Sequence, residues 1–114
     1  MPRWQRSYLV LCAAVIGFAL AYFACDFGGW TRLAYDPWAR SWRWTDRPTP
    51  FDSLYWGTIL WGLAGAAAFA AVAWLACRRA GRELSARWNL LAAAWALTAF
   101  AFIGLYFTWN LWPF

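Results

Sequence analysis

Four aspartates, Asp26, Asp36, Asp46 and Asp52, fall in one uncharged-span-free segment of the chain, residues 26–53. Paired carboxylates can do acid–base work. Here each has an arginine to match, Arg32, Arg40, Arg43 and Arg47, so the segment is neutral and the expected use of the acids is surface ion pairing. The nucleophile and ligand types are as sparse. Cys12, Cys25 and Cys77 are spaced too widely for a zinc or redox motif. The chain has no histidine, which removes the commonest general base and haem or metal ligand. No Ser/His, Cys/His or metal spacing supports an active site, so the sequence predicts a chain that is not an enzyme, with no catalytic and no metal-binding residues.

The remaining chemistry belongs to rings and cations. Trp88, Trp95, Phe102 and Trp109 recur every seven residues and would share one helix face. Such a stripe can stack on a flat ligand. It serves equally as a lipid-facing surface or as bulk that fills grooves. No intrinsic cofactor is expected; a lipid, quinone or pigment at an interface shared with another subunit is the compatible ligand class. In the 26–53 segment, Trp30, Trp38, Trp42, Arg43 and Trp44 interleave indoles with a guanidinium. Arginine over an indole face is favourable by about 0.5–2 kcal/mol. Trp42 and Trp44, two apart, would share a face of a short extended segment. These five residues are the candidates for contact with a partner or with lipid headgroups; a loop folded onto its own helix ends at the interface is the equal alternative.

The elements that must carry these groups follow from composition. The 114 residues are 64% hydrophobic, 23% aromatic and 13% charged, with twelve tryptophans. Soluble domains average about 25% charged residues. Three uncharged stretches, 7–25, 54–77 and 88–112, hold 19, 24 and 25 residues. As helices they reach about 28, 36 and 37 Å at 1.5 Å per residue, against a hydrocarbon core of about 30 Å. Backbone groups in lipid must pair internally, which selects helices over an open sheet. The predicted fold is therefore an all-α membrane protein, a single domain over 1–114 with three transmembrane helices. An outer loop, 26–53, and a short cytoplasmic loop, 78–87, join them. Arg3 and Arg6 before an apolar run also suit a signal peptide. The bulky Tyr22 and Phe23 before Ala24 and Cys25, and the length of the run, fit a retained span better.

Charge orients the spans. The N-terminus and the 78–87 link carry Arg3, Arg6, Arg78, Arg79, Arg82 and Arg87 against Glu83, which is the whole net charge of +5. The positive-inside rule then expects the N-terminus in the cytoplasm, with the long loop and the C-terminus outside. Aromatic belts agree: Trp4, Tyr8, Trp74 and Trp88 at the inner level, and Tyr22, Phe23, Tyr55, Trp56, Tyr106, Trp109 and Trp112 at the outer. The basic balance is thus a topology signal, and no nucleic-acid partner is expected. All ten basic residues are arginine, which fits a bacterial cytoplasmic membrane protein from a GC-rich genome.

Small residues recur every four positions on two helices: Ala13, Gly17, Ala21 and Cys25 on the first, Thr58, Gly62, Ala66 and Ala70 on the second. Such rows let helix backbones approach closely. They are expected to pack within the chain or against another subunit. The spans contain no Asp, Glu, Lys, Arg or His, which argues against a pump or proton-coupled transporter. What remains by subtraction is a small non-catalytic accessory or scaffold subunit of a larger integral-membrane complex, respiratory or photosynthetic in type. Its expected partners are other membrane subunits and lipid. The alternative is a membrane anchor that binds quinone, pigment or lipid; in shape alone the chain resembles the three-helix anchor subunits of quinone-linked reductases. A third reading, a homo-oligomeric pore or transporter, calls for a polar stripe that Thr58, Thr98 and Thr108 do not provide.

Overall fold

The computed structural model describes residues 2–46, 54–80 and 83–111. Arg47, Pro48, Pro50, Asp52, Arg82 and Trp112 lie outside the described residues. Three helices, α1 (Arg3–Gly28), α2 (Tyr55–Ala80) and α3 (Ala86–Leu111), are each 26 residues long. All three are long and apolar enough to cross a membrane. Each outruns its uncharged stretch at one end or both, taking in Arg3, Arg6 and Asp26 on α1 and Arg78 and Arg79 on α2. About 39 Å of helix exceeds the core by about 9 Å, so the charged turns can stand among headgroups.

The end of α1 is set by Gly29, whose φ of 62° and ψ of 37° are left-handed. There the Trp30 N–H reaches back to the Cys25 carbonyl at 3.2 Å. This closes the helix in a Schellman arrangement, which needs a residue without a Cβ penalty. It also turns the chain back towards the helices.

The next segment departs from the all-α expectation. Arg32–Asp36 (β1) and Ser41–Thr45 (β2) form an antiparallel hairpin, paired from Arg32 with Thr45 to Asp36 with Ser41. Its sequence alternates by twos and is rich in aromatics, which suits a pleated ribbon. The turn is built by Asp36, whose carboxylate accepts the N–H groups of Trp38 at 3.0 Å and Ala39 at 3.3 Å. Pro37 supplies a preset φ inside it. Arg40 closes the turn at φ 52°, a left-handed conformation unusual for a side chain of that size.

The helices lie side by side with α1 in the middle. α2 packs along one flank of α1 and α3 along the other. The whole is flat, 54 × 31 × 20 Å. The α1–α2 seam is tight because glycines meet. A Cβ added to Gly17 would run into the Gly65 carbonyl and the Phe69 side chain, and one added to Gly65 would strike Ala21. Gly62 lies under the Phe18 ring.

The α1–α3 seam is fastened at its two ends. At the Arg-rich end, fully buried Gln5 donates to the Leu84 carbonyl at 2.9 Å and the Asn89 amide oxygen at 3.1 Å. It also accepts the Leu84 N–H at 3.3 Å, and the Tyr8 hydroxyl donates to the Asn89 carbonyl at 2.7 Å. At the hairpin end Tyr22, Phe23 and Phe27 of α1 meet Tyr106 edge-on, with centroids 5.2–5.9 Å apart.

Candidate functional site

The hairpin does not float above the helices. Arg32, at the start of β1, is only 6% exposed and points between the ends of α1 and α2. Its Nη1 donates to the Asp26 carboxylate at 3.2 Å and to the Thr58 hydroxyl at 3.0 Å, with the Cys25 sulfur at 3.9 Å. Thr58 in turn donates to the Leu54 carbonyl at 3.0 Å. One cation thus ties the last turn of α1, the first turn of α2 and the hairpin together. The expected surface pairing is corrected here: in the Arg32–Asp26 pair the cation is buried and the acid half-buried, and the pair works as a latch.

Backbone contact completes the seat. The Leu33 carbonyl occupies the place where a Cβ on Gly57 would be, so strand and helix touch without a side chain between them. Ala34 is fully enclosed. The Trp61 indole N–H donates to the Thr31 carbonyl at 2.9 Å. Trp61 lies six residues into α2, about 9 Å along its axis. The open end of the hairpin therefore sits beside the second turn of α2, below the helix end.

This seat aims the aromatic residues. The register puts Leu33 opposite Trp44 and Tyr35 opposite Trp42. Alternation places those four on one face and Arg32, Ala34 and Arg43 on the other. Tyr35 and Trp42 are 4.8 Å apart, Trp44 is 6.3 Å from Trp61, and Trp61 meets Trp30 edge-on at 5.1 Å. Trp30, Trp61 and Trp44 form one group of rings and Tyr35 and Trp42 another, which together make an aromatic platform on this face of the hairpin. Its outer members stay largely uncovered: Trp42 and Trp44 are exposed, and Trp38 at the turn is 80% exposed.

The other sequence candidates are placed as follows. Gly17, Thr58 and Gly62 are buried, and Ala13, Ala21, Ala66 and Ala70 half-buried. Gly17 meets Gly65 rather than a member of the Thr58 row, and Thr58 serves the latch. Trp88, Trp95, Phe102 and Trp109 all face outwards on α3, Trp109 at 85% exposure. They do not line the apolar groove of about 290 Å³ between α1 and α3, which Ala14, Val15, Phe18, Phe100 and Ile103 form. Among the described residues no cluster of His, Cys, Asp and Glu could hold a metal. The cysteines are unpaired.

Sequence reasoning missed Arg32, Gly57, Trp61 and Gly65. The last three carry a signal, since Gly57, Trp61, Gly65 and Phe69 form a four-residue row of their own. Arg32 carries none, because one arginine among four in a loop looks like the others. Comparison with known proteins finds no matching protein-family model. Neither the curated proteins nor the solved structures contain a significant match.

Proposed function

We propose that this chain is a non-catalytic accessory or scaffold subunit of a larger integral-membrane complex, oriented with its N-terminus and Arg-rich end in the cytoplasm of a bacterial cell. The hairpin is its docking element for a neighbouring membrane subunit. The observation that carries this reading is the latched hairpin: a buried arginine paired with Asp26 and a glycine seat hold in place a platform whose outer tryptophans are exposed. Exposed indoles are among the residue types that dominate interface energies. A scaffold distributes its work over a surface, in keeping with Asp26 and Asp36 serving structural contacts.

Polar conduction finds little support. The Thr98 and Thr108 hydroxyls donate to their own helix, to the Ala94 carbonyl at 2.7 Å and the Gly104 carbonyl at 2.8 Å. A second reading, an anchor that binds a lipid, quinone or pigment, draws on the mid-span apolar groove between α1 and α3. Purification in mild detergent with mass spectrometry of all copurifying chains and small molecules separates the two. The scaffold reading expects a stoichiometric partner chain that is lost when Trp38, Trp42 and Trp44 are changed together to Ser. Recovery of the chain with a stoichiometric small molecule and no partner would favour the anchor.

A further inference from the structure

Because α1 lies between its neighbours, α2 and α3 form the two long edges of a flat layer. Each edge carries a seam that faces away from α1. On α2, Gly62, Gly65 and Phe69 meet α1. Half a turn away stand Leu60, Ala64, Ala67, Ala71 and Trp74, spaced by four and three and all exposed. The three alanines make the middle of this edge a shallow trough. On α3, Phe100, Ile103 and Tyr106 face α1. Its outer side carries Trp88, Leu91, Trp95, Phe102, Leu105 and Trp109, all exposed, with Thr98 in the one gap of the same spacing. Seams with this alternation of three and four pack along the length of another helix.

The two seams also match in height, with α1 as the ruler. Gln5 of α1 bonds Asn89 of α3, and Gly17 of α1 meets Gly65 of α2. Gly17 lies as far along α1 from Gln5 as Ala101 lies along α3 from Asn89, so Gly65 and Ala101 stand level. α2 runs the opposite way, which puts Ala64 level with Phe102, Ala71 with Trp95 and Arg78 with Trp88. The largest side chains of one edge thus stand at the heights of the smallest on the other. Arg78, which already lies over the Trp74 ring at 5.3 Å, is met at its height by a second indole. Within one chain α1 keeps the two edges apart. Between two copies inserted in the same orientation, the heights carry over unchanged.

We propose that a second copy of this chain covers this edge, with the α3 aromatic seam of one copy seated in the α2 alanine trough of the next. Small residues let the backbones approach, and packing then supplies the attraction that lipid-exposed helices otherwise lack. The area suffices. Trp88, Trp95, Phe102 and Trp109 are 57–85% exposed. They offer about 600 Å² at about 150–250 Å² per aromatic side chain, and Leu91 and Leu105 bring this near the ~800 Å² per partner of a standard interface. Lipid would cover either edge alone, but it gives no reason for large residues on one to stand level with small ones on the other. The contact is head to tail, so it continues to further copies or closes as a ring. It uses the helices and leaves the hairpin free for a different subunit.

Cysteines at Ala67 and Thr98, both exposed and nearly level, read the contact without removing an aromatic residue. Oxidation of A67C/T98C in native membranes should give a ladder of dimers, trimers and larger species. A67C alone and T98C alone should stay monomeric, because a head-to-tail contact never brings one position against itself. The chain's own cysteines are buried, so the wild type sets the baseline. Ala71→Trp, added to the pair, fills the trough opposite Trp95 and should cut the ladder about tenfold. Val72→Trp, exposed on another face of α2, should leave it unchanged, and circular dichroism establishes that both variants keep their helices. Absence of a ladder from A67C/T98C would overturn the proposal. So would a ladder of equal yield from A67C/L97C, which would mean random collision, since Leu97 lies off the seam. Dimers from A67C or T98C alone would mean a symmetric contact through one edge and would overturn the head-to-tail arrangement.

Discussion

Replacing Arg32 with Met keeps much of the apolar stem and removes the cation that closes the latch. The loss can be worked from its contacts. The guanidinium makes two charge-assisted hydrogen bonds, to Asp26 at 3.2 Å and Thr58 at 3.0 Å. Such bonds contribute about 1.5–3 kcal/mol each when the partner is left buried. The Asp26 side chain is 28% exposed and can recover water, which discounts its share. Thr58 keeps its bond to Leu54. A net loss of about 2–3 kcal/mol follows, smaller than the cost of stranding a fully buried charge. It should fall on the hairpin, because the α1–α2 seam has its own glycine contacts. Local opening of 33–36 and 41–45 should then become about 25- to 150-fold more frequent. Hydrogen–deuterium exchange of the detergent-solubilised chain reads this directly, with α1 amides as the internal control. Asp26→Leu added to Arg32→Met should restore part of the protection, since it removes the carboxylate left unpaired. Unchanged hairpin exchange in Arg32→Met would show that the strand seat on Gly57 holds without the cation, and the latch argument would fail.

Four further substitutions have outcomes set by the geometry. Gly65→Leu should weaken the α1–α2 seam by about 1–3 kcal/mol, read as a lower denaturation midpoint, whereas Gly104→Ala, with nothing near its new Cβ, should be neutral or stabilise α3 by about 0.5–1 kcal/mol. Gln5→Leu should leave the Leu84 N–H and carbonyl without their partner and cost about 1–3 kcal/mol, seen as faster exchange at 84–89 and unchanged exchange in the hairpin. Arg40→Gly should relieve the left-handed turn residue by about 1 kcal/mol and slow hairpin exchange; an increase in exchange would show that the arginine side chain contributes more than its backbone costs.

The three helices were legible because bilayer thickness and backbone pairing leave few alternatives for uncharged runs of that length. Their ends were less so. The structure carries α1 through Asp26 to Gly28, since a helix stops where a cap is available, and Gly29 is the first residue that supplies one. The aromatic character of 26–53 was visible, and so was the sharing of one face of an extended segment by Trp42 and Trp44. That this segment folds back onto its own helix ends was one of two equal readings; which residues seat it there was not legible. The seat depends on Arg32 meeting Thr58 across 26 residues of sequence, and on Gly57 leaving room for Leu33. Periodicity along one helix cannot show which row faces a neighbour. Thr58, Gly62, Ala66 and Ala70 and the row through Gly57 and Gly65 both recur every four residues, and three-dimensional packing selects Gly65 for Gly17. The Gln5 knot was invisible for the same reason: its partners are 79 and 84 residues away.

The central claim is that the latched hairpin docks on a protein, and the most direct measurement is photo-crosslinking from its outer face in native membranes. A photo-reactive phenylalanine derivative in place of Trp42 samples only what lies within a few ångströms of the platform. The scaffold account expects one discrete adduct heavier than this 13.1 kDa chain by the mass of a distinct membrane subunit. That adduct should disappear when Arg32→Met unlatches the hairpin. Adducts with lipid alone, at the same yield in the latched and unlatched chains, would contradict the claim and leave the tryptophans as anchors in the headgroup layer.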